Sequence, residues 1–553
     1  LRIANEYNEH DEYEAAREVN LMTTDYELFK TGDQERIWKK YCGFLDLSLA
    51  EFMEIQEQLL MEHIDLVYDS PLARKFIPKK PKDVPEFRKL VPLTTYEDYA
   101  DYLGAKNEDV LAFKPYCWMC TSGRGGTSKW VPYTESAIER LSIISTAGSI
   151  LACTKRKGEV YNKIGRGLHV LHNLPPAPYL SGTMAQIVDQ RLDVYYMPSL
   201  DKCESMDFET RTQTGFQIGL RTGVDFLVSL TSVLLKIGER FTEGSGKLKL
   251  NRHMFHPQTM WRLIRGLVRS KREGRTLLPK DLWPIKGLLC YGTDTAIYRE
   301  RLIHYWGEEP TENYGATEIG LIATQAWNKK NMTFVPFCCF LEFAPESEWL
   351  KSRENKNYQP STVLLDEVKP GERYEVVITS FYGMPFLRYR LGDLIRIVTL
   401  EDEEAEIKLP QMVFESRIDD LIDIAGFPRL DEKTIWQAIA NTGIKHEDWS
   451  VRKEYEQDKA IIRLYIELKE SREAQELESL VHQKLVDIDK DYRNLESMLS
   501  VRPLRVSLLP AGSFQRYYEK KKASGAELAH LKPPHMNASD AVIQELLGQA
   551  QST

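Results

Sequence analysis

The chain has 553 residues, of which 42% are hydrophobic, 28% charged and 10% aromatic. That length exceeds one ordinary domain, and the apolar share supports large buried cores, so a mainly disordered protein is excluded. A formal net charge of −9 argues against a nucleic-acid binder that works through a basic face. In chain order, the stretch Leu1 to Glu18 is acidic and polar, without the apolar core of a signal peptide. Eight cysteines spread over so long a chain do not make a disulfide scaffold and point to a reducing, cytoplasmic setting. Trp38, Tyr41, Leu45, Leu49, Phe52, Ile55 and Leu59 recur at helical spacing and predict a helical N-terminal region over 1–90. The proline-bearing stretches Ile77 to Pro85 and Val91-Pro92-Leu93 then carry the chain into a loop.

From Val110 to about Val398 short apolar runs alternate with helical patterns. Val194-Tyr195-Tyr196, Ile285 to Leu289 and Glu375 to Ile378 read as strands, and the alternation predicts a layered α/β large domain over 91–412. The apolar run Gly223 to Gly238, broken by Asp225 and holding Lys236 near its end, predicts a core helix; no run reaches membrane-spanning length, so no membrane partner is expected. The acidic patch Glu401 to Glu406 predicts a solvated turn at the edge of the large domain. Helix Glu432 to Asn441, strand Ala460 to Leu468 and helix Ala474 to Leu485 then predict a smaller α+β domain over 413–553.

Three spacings invite a metal or a nucleotide and are rejected on their context. Cys117-Trp118-Met119-Cys120 sits on a predicted strand before a glycine-rich loop, without further zinc ligands or the helix that a redox pair opens. His169-x-x-His172 and His253-x-x-His256 lack a nearby cysteine or a glutamate in the metalloprotease position. Gly244-Ser245-Gly246-Lys247 lacks the earlier glycine of a P-loop, and Leu248 stands where a hydroxyl should bind magnesium.

Other segments are better explained together. Thr121-Ser122-Gly123-Arg124-Gly125-Gly126-Thr127-Ser128-Lys129 combines glycines, which let backbone fold closely around phosphate oxygens, with hydroxyl and cationic donors. The predicted strand Ile285 to Leu289 runs into Tyr291-Gly292-Thr293-Asp294, a glycine turn on which a flat base can lie. A further turn carries Asn313-Tyr314-Gly315-Ala316-Thr317-Glu318, where Tyr314 offers a stacking face and Glu318, beside the Thr317 hydroxyl, can hold magnesium against a triphosphate. In Phe386 to Asp393, the aspartate follows a glycine turn and can accept both ribose hydroxyls. Glu415 to Ile422 opens the small domain, and Lys532-Pro533-Pro534 follows near its end.

In this order and spacing the segments resemble the acyl-adenylate-forming superfamily. Val335-Pro336-Phe337 through Leu341-Glu342-Phe343, Gly371 to Thr379, Asp431-Glu432-Lys433-Thr434, and Pro510 to Phe514 followed by Gly525-Ala526 and Lys532-Pro533-Pro534 are most similar to the plant auxin- and jasmonate-conjugating acyl acid–amido synthetases and their bacterial relatives. The phosphate loop is one residue shorter than the plant pattern, and Tyr314 to Glu318 reads more like the thioester-forming branch. The resemblance implies a large adenylate-forming α/β domain with a small mobile α+β domain, ATP and magnesium as cofactors, and a small hydrophobic or aryl carboxylic acid as substrate. It implies that Lys532 bridges carboxylate and α-phosphate, that Arg417 lies near the ribose, and that Asp419 is the hinge. It places the acyl pocket at Tyr179, Ser181, Gly182, Met184 and Phe226. The expected acceptor is an amino acid or other amine, with CoA as the alternative; Lys329, Lys330 and Arg429 are the basic candidates for its phosphates.

Overall fold

The computed structural model describes residues 24–121, 129–206, 208–244, 256–291, 295–355, 358–423, 429–456, 459–489, 492–493, 502–523 and 533–548. The chain divides into two compact units, one of Leu1–Thr121, Lys129–Leu391 and Arg396–Val413, the other of Ser122–Ser128, Gly392–Ile395 and Phe414–Thr553.

In the first unit the N-terminal helical pattern is two helices, Gln34–Cys42 and Leu49–Val67, parted by the 3-10 turn Gly43–Asp46. Asp33 caps the first, and a Ser48/Glu51 capping box starts the second. The buried stripe of the longer helix runs through Phe52, Gln56, Leu60, His63, Ile64 and Val67, one residue out of register with the expected Ile55 and Leu59. The reason is Gln56, whose amide donates to the Pro336 and Cys339 carbonyls and accepts from the Leu341 N–H. A polar side chain that completes a strand's unpaired backbone is as much core as a leucine.

Strands β1 (Cys117–Cys120) and β2 (Trp130–Tyr133) form an antiparallel hairpin. They are followed by β3 (Arg166–His172), β4 (Asp193–Met197), β5 (Phe226–Leu230), β6 (Gly287–Tyr291), β7 (Thr311–Ala316), β8 (Gly320–Gln325) and β9 (Met332–Phe334). Next come β10 (Cys339–Pro345), β11 (Arg373–Ser380), β12 (Tyr389–Thr399) and β13 (Gln411–Arg417). These last eleven make one mixed sheet, ordered β10-β11-β12-β13-β9-β8-β7-β6-β5-β3-β4. The run from β7 to β4 is parallel, and β8 turns back antiparallel on β7. The central parallel strands β5 and β6 are apolar and buried nearly throughout, the pattern of a parallel sheet's interior. This corrects the expected core helix over Gly223 to Gly238: Phe226–Leu230 is strand β5 and the helix Thr231–Gly244 begins after it. A short apolar run fits either state, and here parallel partners on both sides decide it.

His169 and His172 lie on β3 rather than on one helical turn, so three residues place them on opposite faces. Burial pushes the Cys117 thiol up to about 11 and raises that of Cys120, which suits structural thiols. The acidic patch is a turn in which Asp402 accepts from the Ala405 N–H and the Asn328 amide. Among the described residues no helix is long and apolar enough to cross a membrane.

One buried ion pair ties β10 to β12. Arg388 donates to both carboxylate oxygens of Glu342, at 3.0 and 2.9 Å, and to the carbonyls of Arg88 and Val91. Glu342 is fully buried, and without Arg388 only Arg88 Nε, at 3.3 Å, would face its charge. Arg388→Met is expected to lower the unfolding free energy by about 3–5 kcal/mol, which a chemical denaturation curve measures.

In the second unit, β14 (Ile422–Asp423) pairs with β15 (Arg429–Leu430). A three-stranded sheet follows, of β16 (His446–Glu456), β17 (Lys459–Leu468) and β18 (Leu504–Leu508), antiparallel then parallel. Helices Glu432–Asn441 and Ala474–Ile488 supply Ile435, Ile439, Leu477, Val481 and Leu485 to a core shared with Trp449, Val451, Ile462 and Leu464. This is the α+β pattern expected there.

Candidate functional site

The β1–β2 hairpin closes at Thr121 and Lys129: the Thr121 N–H donates to the Lys129 carbonyl at 2.9 Å, and the Lys129 N–H donates to the Thr121 hydroxyl at 3.2 Å. The intervening phosphate-loop candidates Ser122, Gly123, Arg124, Gly126, Thr127 and Ser128 lie outside the described residues, as do Gly292, Thr293, Asp294 and Lys532. The two loop ends are thus held at one backbone ladder step. Lys129 Nζ stands 5.0 Å from the centre of the Tyr96 ring, and the Tyr96 hydroxyl accepts from the Trp130 N–H at 2.9 Å.

Asn313 to Ala316 are strand β7 rather than a turn; the turn itself is Thr317 to Ile319, between β7 and β8. It is tight because both flanking glycines are needed. A side chain at Gly315 would run into the Gly320 carbonyl, and Gly320 has φ +82° with a Cβ position 2.6 Å from Leu141 Cδ1. The Tyr133 hydroxyl donates to the Thr317 carbonyl at 2.8 Å. Glu318, 7% exposed, accepts from the Tyr389 hydroxyl at 3.0 Å. Burial first, and the Glu318 charge after it, raise the phenols of Tyr96 and Tyr133. Those rings stay neutral around a buried carboxylate.

No group of three or more His, Cys, Asp or Glu side chains that could hold a metal occurs among the described residues. A metal at Glu318 would therefore take its remaining ligands from phosphate and water, the mode magnesium uses with nucleotides. The residues present fit that ion and not a fully protein-caged one.

Tyr314 is only 6% exposed, so its ring is covered here rather than offered as an open stacking face. Asn313 accepts from the Thr324 hydroxyl at 2.7 Å, and burial holds the nearby Tyr291 phenol up at about 12. In the second unit, Asp393 is a strand residue of β12 rather than a turn aspartate, after Gly392 at φ +72°. Arg417 Nε lies 3.2 Å from Asp393 Oδ1, so the residues read as ribose contacts form a pair. Asp419 belongs to the 3-10 turn Ile418–Asp420 directly after β13.

Of the acyl-pocket candidates, Tyr179 is the N-cap residue of helix Leu180–Asp189. The Cys120 N–H donates to the Pro178 carbonyl at 3.0 Å, which sets this segment beside the end of β1. The Ser181 hydroxyl donates to the Pro175 carbonyl at 3.1 Å, and Met184 is buried on the same helix. A Cβ on Gly182 would fall on the Pro176–Ala177 peptide itself. Gly182→Ala should therefore shift this loop, cost about 1–3 kcal/mol of stability and raise the KM for the acid; unchanged values of both would remove the loop from the acid site.

Phe226 is corrected. It starts β5, at the opposite end of the parallel strands from the carboxyl ends where open α/β sheets bind ligands. Its ring is buried over Gly287, whose missing side chain makes room for it. It is core. The tyrosines around Glu318 went unassigned in the sequence, since Tyr96, Tyr133 and Tyr389 come from remote segments and share no spacing. His172, at the end of β3, is also buried, and burial followed by the nearby Arg211 charge lowers its ring to about 4, leaving it neutral.

The chain matches known family models and folds. The chain matches the GH3 family N-terminal domain over residues 43–184, the GH3 family central domain over 332–427 and the GH3 family C-terminal domain over 432–541. It is 27% identical over 291 residues to a jasmonoyl–L-amino acid synthetase of Oryza sativa subsp. japonica, a match that spans 48% of this chain and 48% of that relative. The chain thus spans about half the length of that curated relative. Its fold is that of an acyl acid amido synthetase solved in complex with 2,4-DB, at TM-score 0.66, 18% identity, and coverage of 94% of this chain and 97% of that one. It also shares the fold of 2-hydroxyisobutyryl-CoA ligase in its postadenylation state with 2-HIB-AMP, at TM-score 0.56, 14% identity, and coverage of 84% and 87%. With its N-terminal, central and C-terminal domain patterns matched in order over more than half of the chain, the protein belongs to the GH3 family.

Proposed function

We propose that this protein is an ATP-dependent acid–amine ligase that activates a small hydrophobic or aryl carboxylic acid as its acyl-adenylate and then transfers the acyl group to an amino acid. The observation that carries the reading is Glu318: a buried carboxylate in a glycine-bounded turn, ringed by neutral tyrosines beside the anchored ends of a hydroxyl- and glycine-rich loop, in a GH3-family chain.

A carboxylate is a poor electrophile because oxide would have to leave. In the first half-reaction a carboxylate oxygen attacks the α-phosphorus of ATP, the bond to the β-phosphate oxygen breaks, and pyrophosphate departs. Thr121, Ser122, Thr127, Ser128 and Lys129 donate to the phosphates, and Lys532 neutralises the charge shared by carboxylate and α-phosphate as the new bond forms. Glu318 would hold magnesium, which when bound would neutralise charge on the triphosphate. Asp393 accepts from the ribose hydroxyls once it exchanges its Arg417 partner or shares it. In the second half-reaction an amine lone pair attacks the acyl carbon, the bond to the phosphate oxygen breaks, AMP leaves, and the nitrogen loses its proton. Asp419 serves as the hinge between the two half-reactions.

The acceptor reading favours an amine over CoA. Lys329, one of the cations considered for CoA phosphates, is buried and donates to the Leu151 carbonyl, and Lys330 is paired with Glu404. Among the described residues no disulfide joins any of the eight cysteines, as suits a reducing setting. The test is pyrophosphate release across a panel of carboxylic acids, repeated with amino acids and with CoA. Amide is the expected product; thioester with CoA and no amide at millimolar amine would move the protein to the CoA-ligase class.

A further inference from the structure

In the second unit an imidazole is clamped between carboxylates from two elements. His535 Nδ1 lies 2.5 Å from Glu432 Oε1, on the first turn of helix Glu432–Asn441, and Nε2 lies 2.7 Å from Asp448 Oδ1, on β16. A neutral imidazole has one N–H and one lone pair, and a lone pair turned on an ionised carboxylate is repelled. Both contacts are met together when both ring nitrogens carry protons, and each is then a charge-assisted bond. The ring also stacks on Trp449, with centroids 4.1 Å apart and planes 14° from parallel. From helix Ser513–Ala523 the Tyr518 hydroxyl donates to the other Asp448 oxygen at 2.9 Å. Burial and then Asp448 hold that phenol far above its usual range, with Glu447 and Glu467 adding to the effect. These neighbours are acidic or neutral, and an imidazolium satisfies Glu432 and Asp448 together.

The backbone around His535 is fixed as firmly. The Val451 N–H donates to the His535 carbonyl at 2.6 Å, and the Asn537 N–H donates to the Val451 carbonyl at 2.8 Å. The Ser450 hydroxyl donates to the Pro534 carbonyl at 2.8 Å, and Met536 is buried in the core. Pro534 to Asn537 is therefore a ribbon sewn along β16. Only Pro533 and Pro534 separate His535 from Lys532, and prolines restrict the backbone torsions of such a link.

We propose that His535, as an imidazolium, is a positioning residue for adenylation that pins the segment presenting Lys532. The inference rests on the reading of Lys532 given above. The clamp is complete while the ring is protonated and is lost as pH rises past the loss of that proton. Adenylation therefore carries an alkaline limb that transfer from acyl-AMP does not share.

The test compares wild type, H535F, H535Q and K532A in pyrophosphate release, in transfer from supplied acyl-AMP, and across pH. H535F keeps the stack and loses both donors. Its kcat for pyrophosphate release should fall about 10-fold or more with the KM for ATP little changed. Transfer should stay near wild type, and the alkaline limb should disappear. H535Q carries the same expectations should H535F not fold. Nitrogen-15 NMR of the imidazoles in wild type, assigned by the signal lost in H535Q, should show both ring nitrogens protonated at pH 7.5. A neutral tautomer there, or an unchanged rate and pH profile in the folded variants, overturns the proposal. Equal losses in both half-reactions with a lowered melting temperature also overturn it, as a structural effect. The K532A arm separates the failures: wild-type adenylation in K532A overturns the reading of Lys532 and this proposal with it, whereas a crippled K532A beside an unaffected H535F overturns the proposal alone.

Discussion

Replacing Lys532 with alanine should depress acid-dependent pyrophosphate release by about 10²-fold or more, the scale of losing one electrostatic contact made in the transition state. The charge matters while the anhydride forms, because negative carboxylate and negative phosphate must approach; it matters far less once acyl-AMP exists. Transfer from supplied acyl-AMP to the acceptor should therefore fall much less. The comparison of half-reactions is the measurement. Equal losses in both would assign the damage to folding or docking of the second unit, and no loss in either would take Lys532 out of the chemistry.

The second large effect belongs to Glu318. Glu318→Gln keeps the shape and an acceptor for the Tyr389 hydroxyl but removes the charge that a divalent cation needs. Adenylation should drop by about 10²-fold or more and demand more magnesium, while AMP binding, which involves no triphosphate, should change little. Titrating magnesium against the initial rate in wild type and variant shows this directly. Glu318→Ala should be worse in stability as well, since it leaves the buried Tyr389 hydroxyl without that partner. A variant with unaltered magnesium dependence would reduce Glu318 to a buried structural carboxylate.

The site was legible in the sequence where its residues are neighbours. The turn expected over Asn313 to Glu318 is there at Thr317 and Glu318, while Asn313 to Ala316 belong to strand β7. The tyrosines that surround the acid were not legible, because Tyr96, Tyr133 and Tyr389 meet only after β2, β7, β8 and β12 are folded. The fold class followed from alternating strand and helix patterns, yet β5 was taken for helix because Phe226–Leu230 is apolar on both faces and carries no period-two signal. Gln56 escaped notice for the opposite reason: it is polar in composition and core in fact, since its amide completes backbone that a hydrocarbon would leave unpaired. The acyl region was proposed by resemblance alone, which names a segment but not which end of a strand faces the ligand; hence it took in Phe226, which starts β5 and is buried over Gly287. Asp393 was expected at a turn because of Gly392, whose positive φ instead kinks a continuing strand.

The central claim, activation through acyl-AMP, is tested most directly by isotope transfer. An accepted acid labelled with oxygen-18 in its carboxylate is turned over with ATP and an amino acid, and the nucleotide product is analysed by mass spectrometry. If a carboxylate oxygen attacks the α-phosphorus, one labelled oxygen leaves with AMP, and unlabelled pyrophosphate accompanies it. Label in inorganic phosphate with ADP as the other product would mean attack at the γ-phosphorus and an acyl phosphate, and would contradict the account.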